Sequence, residues 1–232
     1  MKNRKFFYQQ YDKIDWENQD KIKLNYKVYD YIINNIITKY NSLSLFDMGF
    51  GVGYLFYVLQ KRLSNKNIYL SGCEPSIKNF NYFKSKDYKN IKVYNKDFIN
   101  LKINEKFNII TSIYVFPHFL SRDLIKIVKN IYRMLNCKGI FVLVVANGEY
   151  LSNKLKIQKD LFIEENRIKY NNKKYKELLY YSYIPTIGKI IDYYRYERYY
   201  INLFKNNKFK LINNKKINDS GFICDVLVFE KI

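Results

Sequence analysis

The chain has 232 residues, 48% of them hydrophobic and 19% aromatic, which excludes a disordered protein and allows one substantial domain with an insertion. Three widely spaced cysteines exclude a disulfide framework, and the lack of long apolar runs excludes a secretory signal and a membrane span, so a cytoplasmic protein is expected. The formal net charge is +20. Residues 1–149 have 24 basic and 12 acidic side chains, and residues 150–232 have 17 basic and 9 acidic ones. Because the excess of basic residues is spread over both parts, a separate basic arm is excluded.

An aromatic segment and a helix are predicted before the main pattern begins. Residues 6–16 contain five aromatic side chains, a segment too short to fold alone. Residues 18–40 carry apolar side chains at spacings of three and four, which predicts one apolar face of a helix. Residues 1–39 are therefore predicted to form a helical and aromatic cap on one side of a sheet.

Short apolar runs alternate with helical patterns between residues 43 and 146. This alternation predicts repeated β-α units, and thus a parallel sheet with helices on both faces. Gly139 predicts a helix stop before the last strand of this part. The predicted strands are Leu43–Asp47, Asn67–Cys73, Ile91–Tyr94, Phe107–Ile113 and Ile140–Ala146, and the predicted helices are Tyr54–Leu63, Ile77–Phe83 and Leu120–Leu135.

The pattern loosens after residue 147 and then becomes regular again. Paired asparagines favour a tight hairpin turn, and a proline followed by a glycine favours a break. The predicted elements are a mostly helical stretch over Tyr150–Glu165, a hairpin turn at Asn171-Asn172, a break at Pro185–Gly188, a helix over Asp192–Asn206, and strands over Phe209–Ile212 and Phe222–Phe229.

The stretch from residue 45 to residue 54 indicates chemistry. Asp47 ends a short apolar run and is followed by Gly49, Gly51 and Gly53 at alternate positions. Glycine adopts positive φ and lets the backbone approach a ligand, so this loop is predicted to cradle one. The spacing differs from that of a dinucleotide fingerprint, and the loop lacks the Gly-Lys-Ser/Thr ending of a nucleoside triphosphate loop.

The Asp-x-Gly-x-Gly-x-Gly form of this loop resembles motif I of class I S-adenosylmethionine-dependent methyltransferases. The resemblance covers residues 40–146 well and residues 192–232 in outline. It implies an α/β fold: a Rossmann-like, doubly wound sheet of seven mostly parallel strands, with an antiparallel last strand beside strand five. It also implies a cofactor-binding core formed by residues 40–148 and 191–232, with residues 149–190 as an insertion that covers the substrate.

The resemblance further implies that S-adenosylmethionine lies at the carboxyl ends of the strands. Asp47 and the three glycines are expected to hold its methionine end, and Glu74, after strand two, is expected to accept both ribose hydroxyls. Asp97 and Phe98, after strand three, are expected to hold the adenine through a carboxylate, a ring and a backbone N–H. Ser112, at strand four, completes the predicted cofactor site.

His118, the only histidine, follows strand four and is the predicted catalytic residue. Imidazole suits a general base, which methyl transfer needs only where the acceptor keeps its proton at neutral pH. The alternative is a histidine that only fixes its loop. Tyr114 lies in the same loop. There Ser112-Ile-Tyr-Val replaces the Asn-Pro-Pro-Tyr type motif of methylases that act on adenine or glutamine, and this difference argues against such a methylase.

Three functions follow from these patterns. The first is a methyltransferase acting on an O or N atom of a small molecule, because an insertion beside the active-site edge would cover a pocket. The second is an RNA or tRNA methyltransferase, suggested by the charge and by the tyrosines around Arg195 and Arg198, which could stack on bases; the same segment also fits a substrate lid or plain packing. The third is a non-catalytic binding subunit, against which the intact glycine loop and Glu74 argue.

Overall fold

The computed structural model describes residue 12 and residues 26–86, 88–184, 188–219 and 221–232. The predicted aromatic segment, the first part of the predicted helix over residues 18–40, and residues 185–187 of the predicted break lie outside the described residues. The remainder of that first helix is present as Tyr26–Asn35 and continues into a short 3-10 turn over Ile37–Lys39.

The described residues form six α-helices and ten strands, which are numbered here in chain order. Most elements before residue 147 agree with their predicted bounds to within a residue or two. The helices are α1 (Tyr26–Asn35), α2 (Tyr54–Arg62), α3 (Ile77–Lys84), α4 (Ser121–Met134), α5 (Gly148–Ile157) and α6 (Glu197–Lys205). The strands are β1 (Ser42–Met48), β2 (Asn67–Cys73), β3 (Ile91–Tyr94), β4 (Phe107–Ile113), β5 (Leu135–Ala146), β6 (Phe162–Tyr170), β7 (Lys173–Ile184), β8 (Gly188–Arg195), β9 (Phe209–Asp219) and β10 (Phe222–Lys231).

Seven strands form one sheet in the order β3-β2-β1-β4-β5-β10-β9. Strands β1 to β5 pair in parallel, whereas β10 is antiparallel to both β5 and β9. The prediction of a mostly parallel, seven-stranded sheet with an antiparallel last strand beside strand five is confirmed. The order reverses between β1 and β4, and in open α/β sheets ligands bind beside such a reversal, outside the carboxyl ends of the strands.

Both faces of this sheet are buried, which explains why β5 reads as a continuous apolar run. Phe141 and Leu143 pack into the core shared with α4 and α6, while Val142 and Val144 pack into the core shared with α1 and α2. Successive side chains of a strand point to opposite faces, so a strand covered on both sides needs apolar residues at every position.

The junction between α4 and β5 differs from its prediction. Helix α4 ends at an extended Leu135, and the residue with positive φ is Lys138, at 55°, rather than Gly139. A Cβ on Gly139 would lie 3.0 Å from the carbonyl oxygen of Asn136 and 3.2 Å from that of Asn108. The glycine is therefore required for close backbone approach, and the predicted helix stop was wrong.

Strands β6, β7 and β8 form a second, antiparallel sheet. The predicted hairpin turn is confirmed: Asn171 and Asn172 join β6 to β7 with φ of 49° and 60°, the left-handed pair that a tight hairpin requires. Residues 162–165 and 192–195 were predicted to be helical and are strands instead. Their pairing with β7 overrides the local helical spacing. None of the described helices is both long and apolar enough to cross a membrane.

Candidate active site

The glycine loop turns sharply after β1 and is tied to β2. The backbone N–H groups of Gly49 and Phe50 donate to the carbonyl oxygen of Cys73 at 2.8 and 3.3 Å. Gly49, Gly51 and Gly53 have φ of 71°, 57° and 85°, so all three lie in the left-handed region. The three glycines are thus required by the path of the backbone, as the motif predicts.

The three positions differ in what a side chain would meet. A Cβ on Gly49 would lie 2.6 Å from Val115 Cγ2, and a Cβ on Gly53 would lie 2.3 Å from Phe83 Cδ2. No described atom lies within 4 Å of the corresponding point on Gly51. Gly49 and Gly53 are therefore constrained by packing, and Gly51 alone presents its bare backbone to open space.

Glu74 joins the glycine loop to the loop after β2. Its Oε2 accepts a hydrogen bond from Gly51 N at 2.9 Å, and its Oε1 accepts one from Ser76 N at 2.8 Å. The residue is 6% exposed, and this burial raises the pKa of Glu74 to about 7 against the hydrogen bonds that lower it. Ser76 Oγ in turn donates to the Asp12 carboxylate at 2.6 Å, which brings a residue of the N-terminal segment to this loop.

Asp47 ends β1 on the same edge of the sheet. Thr111 Oγ1 of β4 donates to Asp47 Oδ1 at 2.7 Å, and burial raises the pKa of Asp47 to about 7. Tyr29 of α1 lies close enough for the Asp47 charge to contribute, after burial, to raising the pKa of its hydroxyl. The carboxylate is thus fixed by β4 and changes charge near neutrality.

The two raised pKa values predict that the cofactor-free protein loses stability as the pH rises. An acid whose pKa is higher in the folded state keeps its proton longer there, so the free energy of unfolding falls between about pH 4 and pH 7. Asp47→Asn removes one such acid but keeps an oxygen for Thr111. The fall between pH 5 and pH 8 should shrink by about 1–3 kcal/mol, measured by chemical denaturation. An equal fall in both proteins would contradict the prediction.

The loop after β3 lies against Glu74. Glu74 N donates to the carbonyl oxygen of Tyr94 at 3.0 Å, and Asn95 Nδ2 donates to the carbonyl oxygen of Glu74 at 2.8 Å. Asp97 is half-buried and caps the 3-10 turn that follows, because its Oδ1 accepts from Ile99 N at 3.2 Å. Asp97 therefore follows β3 on the same edge as the other two acids.

Phe98 is placed differently from its prediction as an adenine-stacking ring. It is 2% exposed, and its ring lies in the core with its centroid 6.1 Å from that of Phe46. Phe98 begins the 3-10 turn after β3, and both Phe98 and its neighbour Ile99 are buried. Its ring packs on Phe46 of β1, so only the backbone of Phe98 is available to contact a ligand.

The pKa of Cys73 is raised by burial and, in part, by the charges of all three acids. The thiol at the end of β2 is buried, and burial is the largest cause of its raised pKa. The charges of Glu74, Asp97 and Asp47 add to this rise. Three carboxylates that are far apart in the sequence therefore lie within electrostatic range of one residue at the carboxyl edge of the sheet.

Strand β4 brings two further polar groups to this edge. Ser112 is fully buried, and its Oγ has no hydrogen-bond partner among the described residues. Tyr114 has φ of 59°, a strained conformation for a bulky residue, and its ring packs edge-on against Phe222. Strained residues cluster at ligand sites, and a buried hydroxyl without a protein partner is accounted for by a ligand that supplies one, so both features agree with a binding site at this edge.

His118 closes the 3-10 turn Phe116–His118 that follows β4. Its side chain is 16% exposed, and its Nδ1 lies 2.9 Å from Oδ1 of Asp192, a buried residue of β8. The His118 charge also acts on Glu74, where it contributes to lowering the pKa of that acid. The predicted catalytic residue thus lies within electrostatic range of Glu74, and its Nδ1 is close to a carboxylate of the second sheet without making a hydrogen bond to it.

The sequence did not identify Asp192, Glu177 or Arg195 in these roles. Arg195 was considered a lid residue that grips an acceptor, but it is fully buried, and its Nε donates to Glu177 Oε2 at 2.5 Å. Tyrosines of the same segment are also core residues: Tyr180, Tyr194, Tyr199 and Tyr200 are each 6% exposed or less. For these residues the packing interpretation is correct. The alternating pattern of β8 could have indicated the strand, but not its partners.

Comparisons with known proteins agree on the fold. Residues 45–139 match the family described as a methyltransferase domain. No curated protein sequence matches the chain. Among solved structures, magnesium protoporphyrin IX methyltransferase from Synechocystis PCC 6803, with bound SAH, superposes with a TM-score of 0.69 at 14% identity, covering 99% of this chain and 98% of that one.

Two further structures show the same similarity. An S-adenosylmethionine-dependent methyltransferase from Clostridium acetobutylicum ATCC 824 has a TM-score of 0.64 at 14% identity, covering 93% of this chain and 96% of the other. A glycopeptide N-methyltransferase complexed with S-adenosyl-L-homocysteine has a TM-score of 0.64 at 11% identity, covering 88% and 89%. At these identities the likeness concerns the fold.

Proposed function

We propose that the chain is a class I S-adenosylmethionine-dependent methyltransferase, which transfers the methyl group of S-adenosylmethionine to an O or N atom of a small-molecule acceptor. The observation that carries this proposal is that Asp47, Glu74 and Asp97 lie at or just after the ends of three adjacent parallel strands at one edge of the sheet, where Glu74 accepts from the N–H of Gly51. Carboxylates at such an edge are suited to a ligand rich in hydroxyl and amino groups, because they accept hydrogen bonds from both.

Each group of this edge has a role in the proposed complex. The bare backbone at Gly51 lies against the cofactor, and Asp47 holds the amino group of its methionine end directly or through water. Glu74 accepts the ribose hydroxyls with the acceptor capacity that remains beside its hydrogen bonds from Gly51 N, Ser76 N and the Asn79 side chain. Asp97 accepts from the adenine amino group, and the buried Ser112 hydroxyl finds its partner in the cofactor.

Methyl transfer requires the protein mainly to align the acceptor with the cofactor. The sulfonium supplies an activated methyl group, and transfer is an in-line displacement at that carbon. The fold must hold the acceptor atom in line with the methyl and keep water away. We assign proton acceptance to His118 because it follows β4, where the turn that carries it packs on the glycine loop through Val115 and Gly49.

The region between β5 and α6 bears on the size of the acceptor. We propose that residues 149–190, which contain α5, β6 and most of the β7–β8 hairpin, cover the acceptor, while residues 40–148 and 191–232 form the cofactor-binding core. Asp192 and Arg195, which follow this region on β8, contact the loop after β4. A cover attached this closely to the methyl-transfer edge favours a small acceptor, in keeping with the porphyrin and glycopeptide acceptors that two of the similar structures name.

An RNA or tRNA acceptor is the second candidate, favoured by the net charge of +20. Phosphate contacts release counterions, so RNA binding weakens steeply with salt in proportion to the number of contacts. Binding of an unstructured RNA should be measured by fluorescence anisotropy between about 50 and 300 mM salt. A shallow slope supports the small-molecule proposal, and a steep slope with tight binding favours RNA.

Binding of S-adenosylhomocysteine to the purified chain tests the cofactor site directly. Gly51→Val should abolish calorimetrically detectable binding, because its side chain would fill the space beside the loop that the cofactor occupies. Gly221→Val is the matched control: Gly221 also has positive φ, 87°, with no described atom near its Cβ position, and it lies in the β9–β10 turn. Equal binding by both variants, or none by the wild type, would refute the proposal.

A further inference from the structure

A cavity of about 480 Å³ lies beside the start of α5, at the β5-β10-β9 end of the main sheet. Its wall includes Asn147, which directly follows β5, Asp225 of β10, Tyr194 of β8 and Glu197 of α6. The wall thus combines residues of both sheets. None of the predicted cofactor-binding residues lines it, so the cavity is distinct from the proposed cofactor site.

Two carboxylates of this wall are withdrawn from solvent and are held by neutral groups. Asp225 is 2% exposed, and its Oδ1 and Oδ2 accept from Asn147 Nδ2 at 2.9 and 3.0 Å. Glu197 is half-buried in the first turn of α6, and its Oε1 accepts from Asn214 Nδ2 at 2.5 Å. Within the part of the chain that the structure describes, neither acid has a cationic group within ion-pair distance.

The lysines of the cavity do not neutralise these two acids. Lys156 and Lys216 are both exposed, and Lys216 Nζ lies 3.5 Å from the carboxylate of Glu149, itself an exposed residue. Burial raises the pKa of Asp225, and burial together with the charge of Asp225 raises the pKa of Glu197, against the opposing effect of Lys216 on both. A ligand that brings a positive charge into the cavity would therefore be stabilised by both acids.

The Tyr194 hydroxyl is a further polar group of the same wall. Tyr194 is 3% exposed, and its hydroxyl has no hydrogen-bond partner among the described residues. A Cβ on Gly148 would lie 1.9 Å from this oxygen, so only glycine at that position leaves room for it. The charges of Asp225 and Glu197 both act on Tyr194. A buried hydroxyl beside two acids can accept a hydrogen bond from a group that also donates to them.

A row of aromatic side chains links this cavity to the methyl-transfer edge. Tyr114 follows β4, and its ring centroid lies 5.8 Å from that of Phe222 at the start of β10. The Phe222 ring lies 5.5 Å from that of Tyr150, which directly follows Glu149 of the cavity wall. A single elongated molecule that lies along these rings would reach from the end of β4 into the cavity.

We propose that this cavity binds a cationic amino group of the methyl acceptor, with Asp225 and Glu197 as its counter-charges and the Tyr194 hydroxyl as a further hydrogen-bond acceptor. An ammonium group has several donors and no acceptor, which matches a wall of two carboxylates and one hydroxyl. The inference rests on the proposed methyl transfer and narrows the class of its substrate to amines.

The amino group in the cavity is not the atom that receives the methyl group. An alkylamine is protonated at neutral pH, and the proton occupies the lone pair that attack on the methyl carbon requires. The methylated O or N atom therefore belongs to another part of the same molecule, beside Tyr114 at the end of β4. The proposed acceptor is thus a molecule with an ammonium group at one end and a second nucleophilic atom at the other.

Phenethylamine and its neutral analogue phenethyl alcohol test the cavity without knowledge of the acceptor. Both are titrated into nitrogen-15-labelled, cofactor-free protein, and their affinities are read from amide chemical shifts. The wild type should bind the amine at least about 10-fold more tightly, because a hydrogen bond to a charged group is stronger than a neutral one. The net charge of +20 disfavours cations elsewhere on the chain, so this preference reports local acids.

The double variant Asp225→Asn/Glu197→Gln keeps the size of both side chains and should bind the two probes equally. Glu165→Gln, which removes the charge of an exposed acid on β6, is the control and should keep the preference for the amine. Should the double variant fail to fold, Glu197→Gln alone should still reduce the preference. Equal affinity of the wild type for both probes, no binding of the amine, or a preference that survives the charge-removing changes overturns the inference.

Calorimetry with S-adenosylhomocysteine distinguishes failure of this inference from failure of the proposed function. The double variant should bind S-adenosylhomocysteine as the wild type does, because neither acid lies in the proposed cofactor site. Cofactor binding without any preference for the amine removes only the ammonium subsite. A wild type that prefers the amine but does not bind S-adenosylhomocysteine removes the methyl transfer, and with it the assignment of the amine as a methyl acceptor.

Discussion

Glu74→Ala is expected to weaken the binding of S-adenosylhomocysteine by at least about 100-fold, measured by calorimetry. A hydrogen bond to a charged group contributes about 1.5–3 kcal/mol, and two lost ribose contacts therefore exceed the roughly 2.8 kcal/mol that corresponds to 100-fold. The substitution also removes the acceptor for Gly51 N, at 2.9 Å, and the acceptor for Ser76 N, at 2.8 Å. The loop that contacts the cofactor would lose its tie to β2 as well.

Two companion variants separate recognition from folding. Glu165→Ala removes an exposed carboxylate on β6 that pairs with the surface residue Lys176, and it should bind as the wild type does. Glu74→Gln keeps the shape of the side chain but loses the charge and one acceptor oxygen. Its affinity for S-adenosylhomocysteine should therefore fall between those of the wild type and Glu74→Ala. Wild-type affinity in Glu74→Ala would remove this residue from the proposed ribose site.

Arg195→Met should destabilise the protein by about 3–5 kcal/mol, the loss expected when one partner of a buried ion pair is removed. Glu177 would remain buried with its charge unpaired, and the carbonyl oxygens of Phe116 and Phe119 would lose their donor. Chemical denaturation followed by circular dichroism measures the change. This is expected to be the largest single effect on stability among the variants considered, because Arg195 has no exposed surface.

A double-mutant cycle isolates the pair from the other contacts of Arg195. Glu177→Gln and Arg195→Met together should cost less than the sum of the single changes, with a coupling of about 1–3 kcal/mol. Lys176→Met, on the adjacent strand β7, is the matched control, since its partner Glu165 is exposed and such surface pairs contribute little. Strict additivity, or an equal loss in Lys176→Met, would show that the buried pair is not what secures the second sheet to the loop after β4.

These contacts give the second sheet a role beyond that of a cover. Asp192 and Arg195 both lie on β8, and both reach the loop that begins at the end of β4. Residues three apart on a strand point to opposite faces of the sheet. Because β8 is an edge strand of the second sheet, the loop can contact both residues at that edge. A catalytic side chain on a loop needs such support, because a loop by itself does not hold an imidazole in one orientation.

The sequence by itself determined the main sheet and where its acids would lie. Strands β2, β3 and β4 have the predicted bounds because their apolar runs are short and are interrupted by turn residues. The positions of Asp47, Glu74 and Asp97 follow from topology alone, since parallel strands bring their carboxyl ends to one edge. The left-handed conformations of Gly49, Gly51 and Gly53 are also local, because only glycine adopts them without strain.

Only the tertiary structure decided the partner of His118 and the orientation of Phe98. The Asp192–His118 contact joins residues 74 positions apart, across two sheets whose relative placement no local spacing specifies. Residues 192–195 carry a spacing that also fits a helix, and their pairing with β7 decided in favour of a strand. Local propensities are small, whereas backbone pairing and burial act on whole elements; the groups that support the proposed base were therefore invisible until the chain was folded.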